Sequence, residues 1–407
     1  MKIRAMGIKR QIKNYIYIKK HYPLSERTTI DPLKKNILII DNQIPTFDKD
    51  SGSNRITEIA KFLAKDFNVF LMGWQKPIPK SDERKYIQNF NRHNVTVYTP
   101  FINGYGIVRG KKYFLDQLIP DLDFVWCHRP DAFEHYLSFF RKKAPKAKII
   151  YDMVDIHFLR MERGLALDYD EKLAAEIEHY KYIETQLSSK ADKVVVISDK
   201  EKKLMTDFVD ESKLFTISNV HNLKIKSEEV PEYEERNHLF FVGSFYHLPN
   251  VDAVTFLHEK IMPLVWQSLP NLKVYIIGQE PPEEILKMNS DLFQIKGFVE
   301  DLTPYYENCI ASISPLRYGA GVKGKIGQAF EYMLPVVTTT IGAEGMFLNN
   351  KETALISGND DHQAFAHNII ELCTNASVWS TLHRNSEKAI FPFTIEFQKD
   401  ELFRLLS

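Results

Sequence analysis

The stretch IASISPLRYGAGVKGKIGQAFEYMLPVVTTT, residues 310–340, decides how the chain folds. An apolar run, IASISP, stops at a glycine-rich turn. The helix-patterned KIGQAFEYM follows, and PVVTTT is a second short apolar run. Strand, turn, helix and strand in that order make the unit of a parallel sheet. The turn also resembles a triphosphate loop, because Gly319, Gly324 and Lys325 fit G-x-x-x-x-G-K. Ile326, however, stands where a Ser or Thr would ligate magnesium, and neither PVVTTT nor KVYIIGQ ends in a convincing acidic metal ligand. A solvated structural turn and a diphosphate cradle are the other two readings. The cradle has the most support: the helix start aims N–H groups and its positive dipole end at the turn. Lys323 and Lys325 add ammonium groups there, and Arg317 adds a fork that suits phosphate oxygens.

The same alternation runs outward along the chain. NILIID, NVFLMGW, VTVYTPF, FVWCH, KIIYDMV, KVVVIS and LFTIS precede a Glu-rich, aperiodic seam at residues 223–237. HLFFVGSF, LKVYIIG, FQIKGFV, IASISP, PVVTTT and TALIS follow it, with amphipathic helical stretches between. Fully apolar short strands separated by helices indicate parallel sheets covered on both faces. The expected architecture is α/β: two doubly wound, Rossmann-like parallel-sheet domains facing a cleft. The expected segments are a basic N-terminal stretch at 1–34, a first domain at 35–222 and a linker at 223–237. A second domain follows at 238–388, and a C-terminal helix at 389–407 returns to the first domain. Ligands of such sheets bind at the carboxyl ends of the strands, here in the cleft.

Composition narrows the partners. The 407 residues suit two domains of roughly 200 residues each. Lys+Arg and Asp+Glu both total 53, so no global field draws nucleic acid. Cys127, Cys309 and Cys373 form no C-x-x-C pair; Cys127 and Cys309 sit in apolar runs and read as small core residues, which suits a reducing cytoplasm. No apolar run approaches the ~18 residues of a membrane span, and the first residues lack a signal peptide's apolar core. Residues 1–27 are the local exception, with eight Lys or Arg against Glu26 alone. Ile8, Ile12, Tyr15, Ile16 and Ile18 interleave with those charges. That pattern suits a segment lying on an anionic membrane surface, at the inner face of the cell membrane, or else a solvated leader.

Two more turns sit on strand ends. Gly243 and Ser244 close the first strand of the second domain; Ser51, Gly52, Ser53 and Arg55 follow the first strand of the first domain. Helix caps explain each alone. What favours a site is that all three turns can face one cleft. Asp121 and Asp123 spell D-x-D, a metal motif, but they precede the strand FVWCH and so sit at the wrong end of the sheet.

VGSFYHLPNVDAV, GFVEDLTPYYENCIASISPLRYGAGVKGKIGQAFEYMLPVVTTTIGAEGM and their spacing resemble the donor domain of GT-B glycosyltransferases. The nearest group is the retaining, metal-independent class that uses nucleotide sugars (glycosyltransferase family 4-like). DKDSGSNR, IIYDMVDIHFLRMER and ADKVVVISDKE resemble its acceptor side more loosely. The resemblance implies a diphosphate held by Gly321, Lys323 and Lys325, with Arg317, Gly243 and Ser244 near it. Phe298 and Val299, in GFVED, would border the base. His157 would contact the donor sugar. Asp155, two residues earlier, could orient His157 or sit near the acceptor hydroxyl, and Arg160 could reach an anionic acceptor or pair with Glu162 and neighbouring acids. The family's ribose-binding Glu is Gln328 here and its sugar-contacting Glu is Ala320; Glu344 is a candidate substitute.

The implied activity is transfer of a sugar from a nucleotide diphosphate sugar to a hydroxyl of a glycan or lipid-linked saccharide, in cell-surface polysaccharide synthesis. No metal or other cofactor is expected. The alternatives are a glycosyltransferase-like scaffold that has lost turnover, motivated by Ala320 and Gln328, and a nucleotide-sugar epimerase.

Overall fold

The structure, a computed structural model, describes residues 2–21, 30–75, 83–165, 171–225, 232–319 and 321–407. Two all-parallel sheets organise it. The first uses β1 (Asn36–Asp41), β2 (Asn68–Gly73), β3 (Val95–Val97), β6 (Phe124–His128), β7 (Lys148–Asp152), β8 (Lys193–Val196) and β9 (Leu214–Thr216). Their order is β3-β2-β1-β6-β7-β8-β9. Between β3 and β6 lies a separate antiparallel pair, β4 (Phe101–Ile102) and β5 (Val108–Arg109). The second sheet uses β10 (Leu239–Val242), β11 (Val274–Ile277), β12 (Phe293–Gly297), β13 (Ala311–Ser314), β14 (Val336–Thr339) and β15 (Leu355–Ser357). Its order is β12-β11-β10-β13-β14-β15.

Both sheets therefore start in the middle, wind outward one way, then cross back and wind the other way. The reversal falls between β1 and β6 in one and between β10 and β13 in the other. Loops leaving those two strands diverge and open a crevice, which is where doubly wound sheets bind ligands. In the second sheet the crevice is bounded by Gly243, just past β10, and by the glycine loop after β13.

Burial follows the pattern of the strands. All of NILIID is buried, and so are VVTT and ASIS. Helices cover both faces, so neither side of a strand reaches water. The helix Ile395–Leu405 packs on the first sheet through Leu402 and Leu405, and Gln398 accepts from Ser218 N at 2.6 Å.

One sequence reading needs correction. VTVYTPF is not a single strand: β3 ends at Val97, Pro100 interrupts the ladder, and Phe101 begins the hairpin. Of the basic segment, Lys2–His21 is a helix; residues 22–29, and 226–231 of the linker, lie outside the described residues. Among the described residues no helix is long and apolar enough to cross a membrane. Asp121 and Asp123 sit at the amino end of β6, where Asp123 Oδ2 accepts from Asn36 N at 2.8 Å.

Candidate active site

On the second domain the cradle is built from backbone first. Gly319 and Gly321 have φ of +141° and +70°, so the loop after β13 turns through left-handed conformations open to glycine. The helix Gly324–Glu331 starts beyond it. Its N-cap, Lys323, makes no side-chain cap; Ile326 N donates to Lys323 O at 2.9 Å, and the N–H groups of Gly324 and Lys325 at the helix start are the ones aimed at a ligand.

Lys325 is the central side chain. Its Nζ donates to Asn250 Oδ1 at 2.6 Å and lies 4.2 Å above the Phe241 ring. A Cβ on Gly243 would come within 2.8 Å of that Nζ and 2.7 Å of Asn250 Cγ, so glycine there leaves the lysine its passage. Asn250 is fixed in turn by donating to Ser244 O at 2.7 Å. Burial and then Lys323 push the Lys325 ammonium down to about 7. Among the described residues no carboxylate forms an ion pair with it. An amide oxygen and a ring face orient the cation without neutralising it, which leaves a place for an anion. Lys323 Nζ donates to Gly321 O at 2.5 Å and braces the loop.

Other donor-side candidates are placed less directly. The Arg317 guanidinium pairs with Asp252 and lies over Phe256, 4.9 Å from the ring centre. Two carboxylates, Asp252 and Asp360, hold its fork, so a contact with the diphosphate would compete with these ion pairs. Phe298 is 63% exposed on the rim beyond β12, whereas Val299 packs inward. Gln328 Oε1 accepts from Tyr306 Oη at 3.3 Å, so a buried phenol fixes its amide. Glu344 pairs with Lys200 of the first domain, which makes it an interdomain contact. Ala320 lies outside the described residues.

Across the cleft, the rim beyond β6 and β7 carries the other half. Arg129 and Val154 stand there at φ of +80° and +69°, and Val154 is β-branched. Left-handed backbone at two non-glycine residues, one of them β-branched, is strain concentrated at a site. His157 begins the helix His157–Leu165, and Glu184 caps that start by accepting from His157 N at 2.9 Å and Phe158 N at 3.0 Å. His157 Nδ1 is 3.0 Å from both Glu184 Oε1 and Asp155 Oδ1. Burial opposes the imidazolium, but Asp155 and Glu184 together raise its pKa above the usual value. Asp155 is itself held below the carboxylate range, against burial, by His157 and by Arg160 at 2.7 Å.

The serine-rich turn divides its duties. Asp50, rather than a serine, caps the helix Ser51–Leu63, accepting from Ser53 N at 2.8 Å and Ser53 Oγ at 2.6 Å. Gly52 is packed below Arg129, whose Nη2 would be 3.2 Å from a Cβ. Arg129 ties this turn to β1 through Asp50 and Asp41, at 3.0 and 3.2 Å. Arg55 is not an acceptor contact: it is fully buried, with Nη1 2.7 Å from Asp152 and the rest of its fork on the carbonyls of Ile217 and Ser218. Ser51 of this turn meets the second domain, at Gly324.

The two halves meet. A Cβ on Gly324 would lie 1.9 Å from Ser51 Oγ; one on Gly321 would lie 3.6 Å from Asp155 Cβ and 3.8 Å from Glu201 Oε1. Asn219 Nδ2 donates to Val322 O at 3.4 Å, and His221 Nδ1 is 2.7 Å from Glu331. The glycine loop is thus within contact distance of Asp155, two residues from His157.

Glu201 was not singled out by the sequence. It is 6% exposed, and its Oε1 has no hydrogen-bond partner. Burial, then Asp155 and Glu184, push its carboxyl up to about 8, with Lys323 opposing. Ser198-x-x-Glu201 fits the capping-box spacing, and Ser198 Oγ does accept from Glu201 N at 3.2 Å. The Glu side chain instead turns toward the cleft, which spacing alone does not reveal. Glu184 was missed as well, since it reads as one more residue of an amphipathic helix.

Residues 236–375 match the family described as glycosyl transferases group 1. A protein of Klebsiella pneumoniae, described as an uncharacterized 44.6 kDa protein in a cps region, is 29% identical over 213 residues. That alignment covers 50% of this chain, and the chain spans about half the length of that relative, 52%. Two solved structures share the fold across both domains. TarM of S. aureus, in complex with fondaparinux, α-GlcNAc-glycerol and UDP, superposes with a TM-score of 0.69 at 13% identity, over 92% of this chain and 100% of that one. HepE of Anabaena, in complex with UDP and glucose, gives 0.62 at 12% identity, over 91% and 98%. The chain is a GT-B-fold protein whose second domain, at residues 236–375, carries the match to glycosyl transferases group 1.

Proposed function

We propose that the protein transfers a sugar from a nucleotide diphosphate sugar to a hydroxyl of a glycan or lipid-linked saccharide. The anomeric configuration is retained, no metal takes part, and the product enters cell-surface polysaccharide synthesis. One observation carries this reading: the Lys325 ammonium at a helix start, held by an amide and not by a carboxylate, follows a glycine loop that comes within contact distance of Asp155 across the cleft. TarM and HepE hold UDP in the same fold, which favours a uridine diphosphate donor.

The acceptor oxygen bonds to the anomeric carbon as that carbon's bond to the diphosphate oxygen breaks. The acceptor proton passes to the departing phosphate on the same face of the sugar. Lys325, Lys323 and the N–H groups of the helix Gly324–Glu331 stabilise charge developing on the diphosphate. His157, held by Glu184 and Asp155, positions the sugar. Closure of the two domains excludes water and limits donor hydrolysis. The acceptor is presented at an anionic membrane face that residues 1–27 contact.

The test is turnover with a panel of UDP-, GDP-, dTDP- and ADP-sugars, with and without acceptor and with EDTA. Nucleotide release that requires acceptor and survives EDTA supports the reading. Tight donor binding without turnover on any acceptor would leave the scaffold alternative, which Gln328 motivates. A strict divalent-ion requirement would remove the metal-free mechanism.

A further inference from the structure

The helix Lys2–His21 and the β4–β5 hairpin lie side by side: a Cβ on Gly106, at the hairpin tip, would be 3.9 Å from Tyr15 Oη. Ile18 faces inward and is buried, while Ile12 and Ile16, one turn apart, are 53% and 59% exposed. At the tip Tyr105 is 90% exposed, Ile107 52% and Val108 41%. Five large apolar side chains thus stand in water on two touching elements. Single exposed apolar residues are ordinary, but a contiguous group marks an interaction surface.

The charges on this surface identify the partner. At 100° per residue, Lys19 and Lys20 flank the Ile12–Ile16 stripe and Lys13 lies next to it. Lys13, Lys19, Lys20 and Lys112 are exposed. Residues 2–21 and 101–115 contain no Asp or Glu, in a chain whose acids and bases balance at 53 each. Protein interfaces deplete Lys from their centres. Lys interleaved with Ile and a protruding Tyr suits the boundary between lipid headgroups and acyl chains, where ammonium groups meet phosphate and a phenol ring has one wet end. The position fits as well. The hairpin follows β3 at the edge of the carboxyl rim, and Lys111 Nζ donates to Trp74 O just past β2 at 3.1 Å. This surface continues the acceptor side of the cleft.

We propose that the helix Lys2–His21 and the hairpin tip at 103–108 form one composite face that docks on an anionic bilayer. Tyr105 and Ile107 enter the headgroup region, and Lys13, Lys19 and Lys20 lie over lipid phosphates. The inference deepens the membrane part of the function just proposed, and vesicle binding reads it without turnover.

The full chain is sedimented with vesicles of equimolar phosphatidylglycerol and phosphatidylcholine, and with phosphatidylcholine alone. It binds the first and not the second. Each Lys→Glu reversal among Lys13, Lys19 and Lys20 lowers partitioning at least about fivefold. Tyr105→Ser with Ile107→Ser lowers it about tenfold without changing the melting temperature, since both side chains are exposed. Tyr105→Trp gains a blue-shifted emission on anionic vesicles. Serine variants that bind like the wild type, with no Trp shift, would remove the hairpin from the face while the basic helix still binds. No binding of the wild type would overturn the membrane reading itself, and dimerisation abolished by the same substitutions would assign the face to a second copy. Sugar transfer to a soluble acceptor is untouched by all three outcomes.

Discussion

Lys325 and Asn250 are joined by a 2.6 Å hydrogen bond from an ammonium group to a neutral amide oxygen. No carboxylate takes that place among the described residues. The domain therefore keeps a cation in the crevice at the expense of its own stability, and an anionic ligand repays the cost. Because Lys325 titrates at about 7 against an ordinary 10.5, the unfolded chain binds the extra proton between those values. This group's contribution to stability accordingly rises with pH across that window. Docking a diphosphate reverses the preference and draws a proton onto Nζ.

Lys325→Met should thus separate binding from stability. A charge-assisted hydrogen bond to phosphate is worth about 1.5–3 kcal/mol, so UDP affinity should fall about 10- to 100-fold. The melting temperature should hold or rise, as a half-buried cation is replaced by an apolar chain of similar length. Calorimetry in two buffers of different ionisation enthalpy should show proton uptake on UDP binding to the wild type near neutral pH, and none to the variant. Equal affinity of the two proteins would remove Lys325 from the site.

Glu201 gives a second signature, opposite in sign. Burial holds its carboxyl up at about 8 in the fold against an ordinary 4.5, so the fold binds the additional proton between those values. Its contribution is complete below the lower value and is lost as pH rises through the upper one. Asp155, Glu184 and Lys323 are the charges that face it. Glu201→Gln keeps the shape and removes the titration. The variant should match the wild type at about pH 5 and melt progressively higher than it toward about pH 9. Subtracting the two melting curves cancels the Lys325 contribution. A constant difference across that range would mean that Glu201 is ionised throughout.

Much of this was legible in the sequence because parallel strands are apolar on both faces. NILIID and ASIS needed no structure to be placed, nor did the glycine loop on the rim that Gly243 shares. The hairpin was lost because a two-residue strand has no period to detect, and Pro100 disguised its start as the end of VTVYTPF. Arg55 and Arg317 show a second limit. A cation near a strand end reads as a ligand contact, yet the sequence does not say whether Asp152 or Asp252 will fold against it. Glu184 and Glu201 fail in the reverse direction: long-range packing turns ordinary helix residues toward His157 and the cleft.

The buried pair Arg55 and Asp152 should be structural in its effects. Asp152 also accepts from Trp126 Nε1 at 2.9 Å and lies 3.0 Å from His128 Nδ1, and Arg55 and His128 hold its carboxyl far below the usual range despite burial. Arg55→Met leaves that carboxylate without its main counter-charge, at a cost of about 3–5 kcal/mol by chemical denaturation. Among molecules that remain folded, acceptor KM should be unchanged. A raised KM with normal stability would return Arg55 to the acceptor site.

Closure is testable at Gly324. A Cβ there would lie 1.9 Å from Ser51 Oγ and 2.8 Å from Ser51 Cβ, distances that no rotation of the serine hydroxyl relieves. Gly324→Ala must hold the two domains apart, while Lys325 and Asn250 stay together within the second domain. UDP should still bind, the radius of gyration with UDP should exceed that of the wild type, and turnover should fall about 100-fold, the usual penalty for misplacing reacting groups by about an ångström. Ser51→Gly removes both clashing atoms from the opposite side, so the double variant should regain the compact form and most of its rate. If Gly324→Ala alone stays compact and active, the helix start and Ser51 do not meet during the reaction.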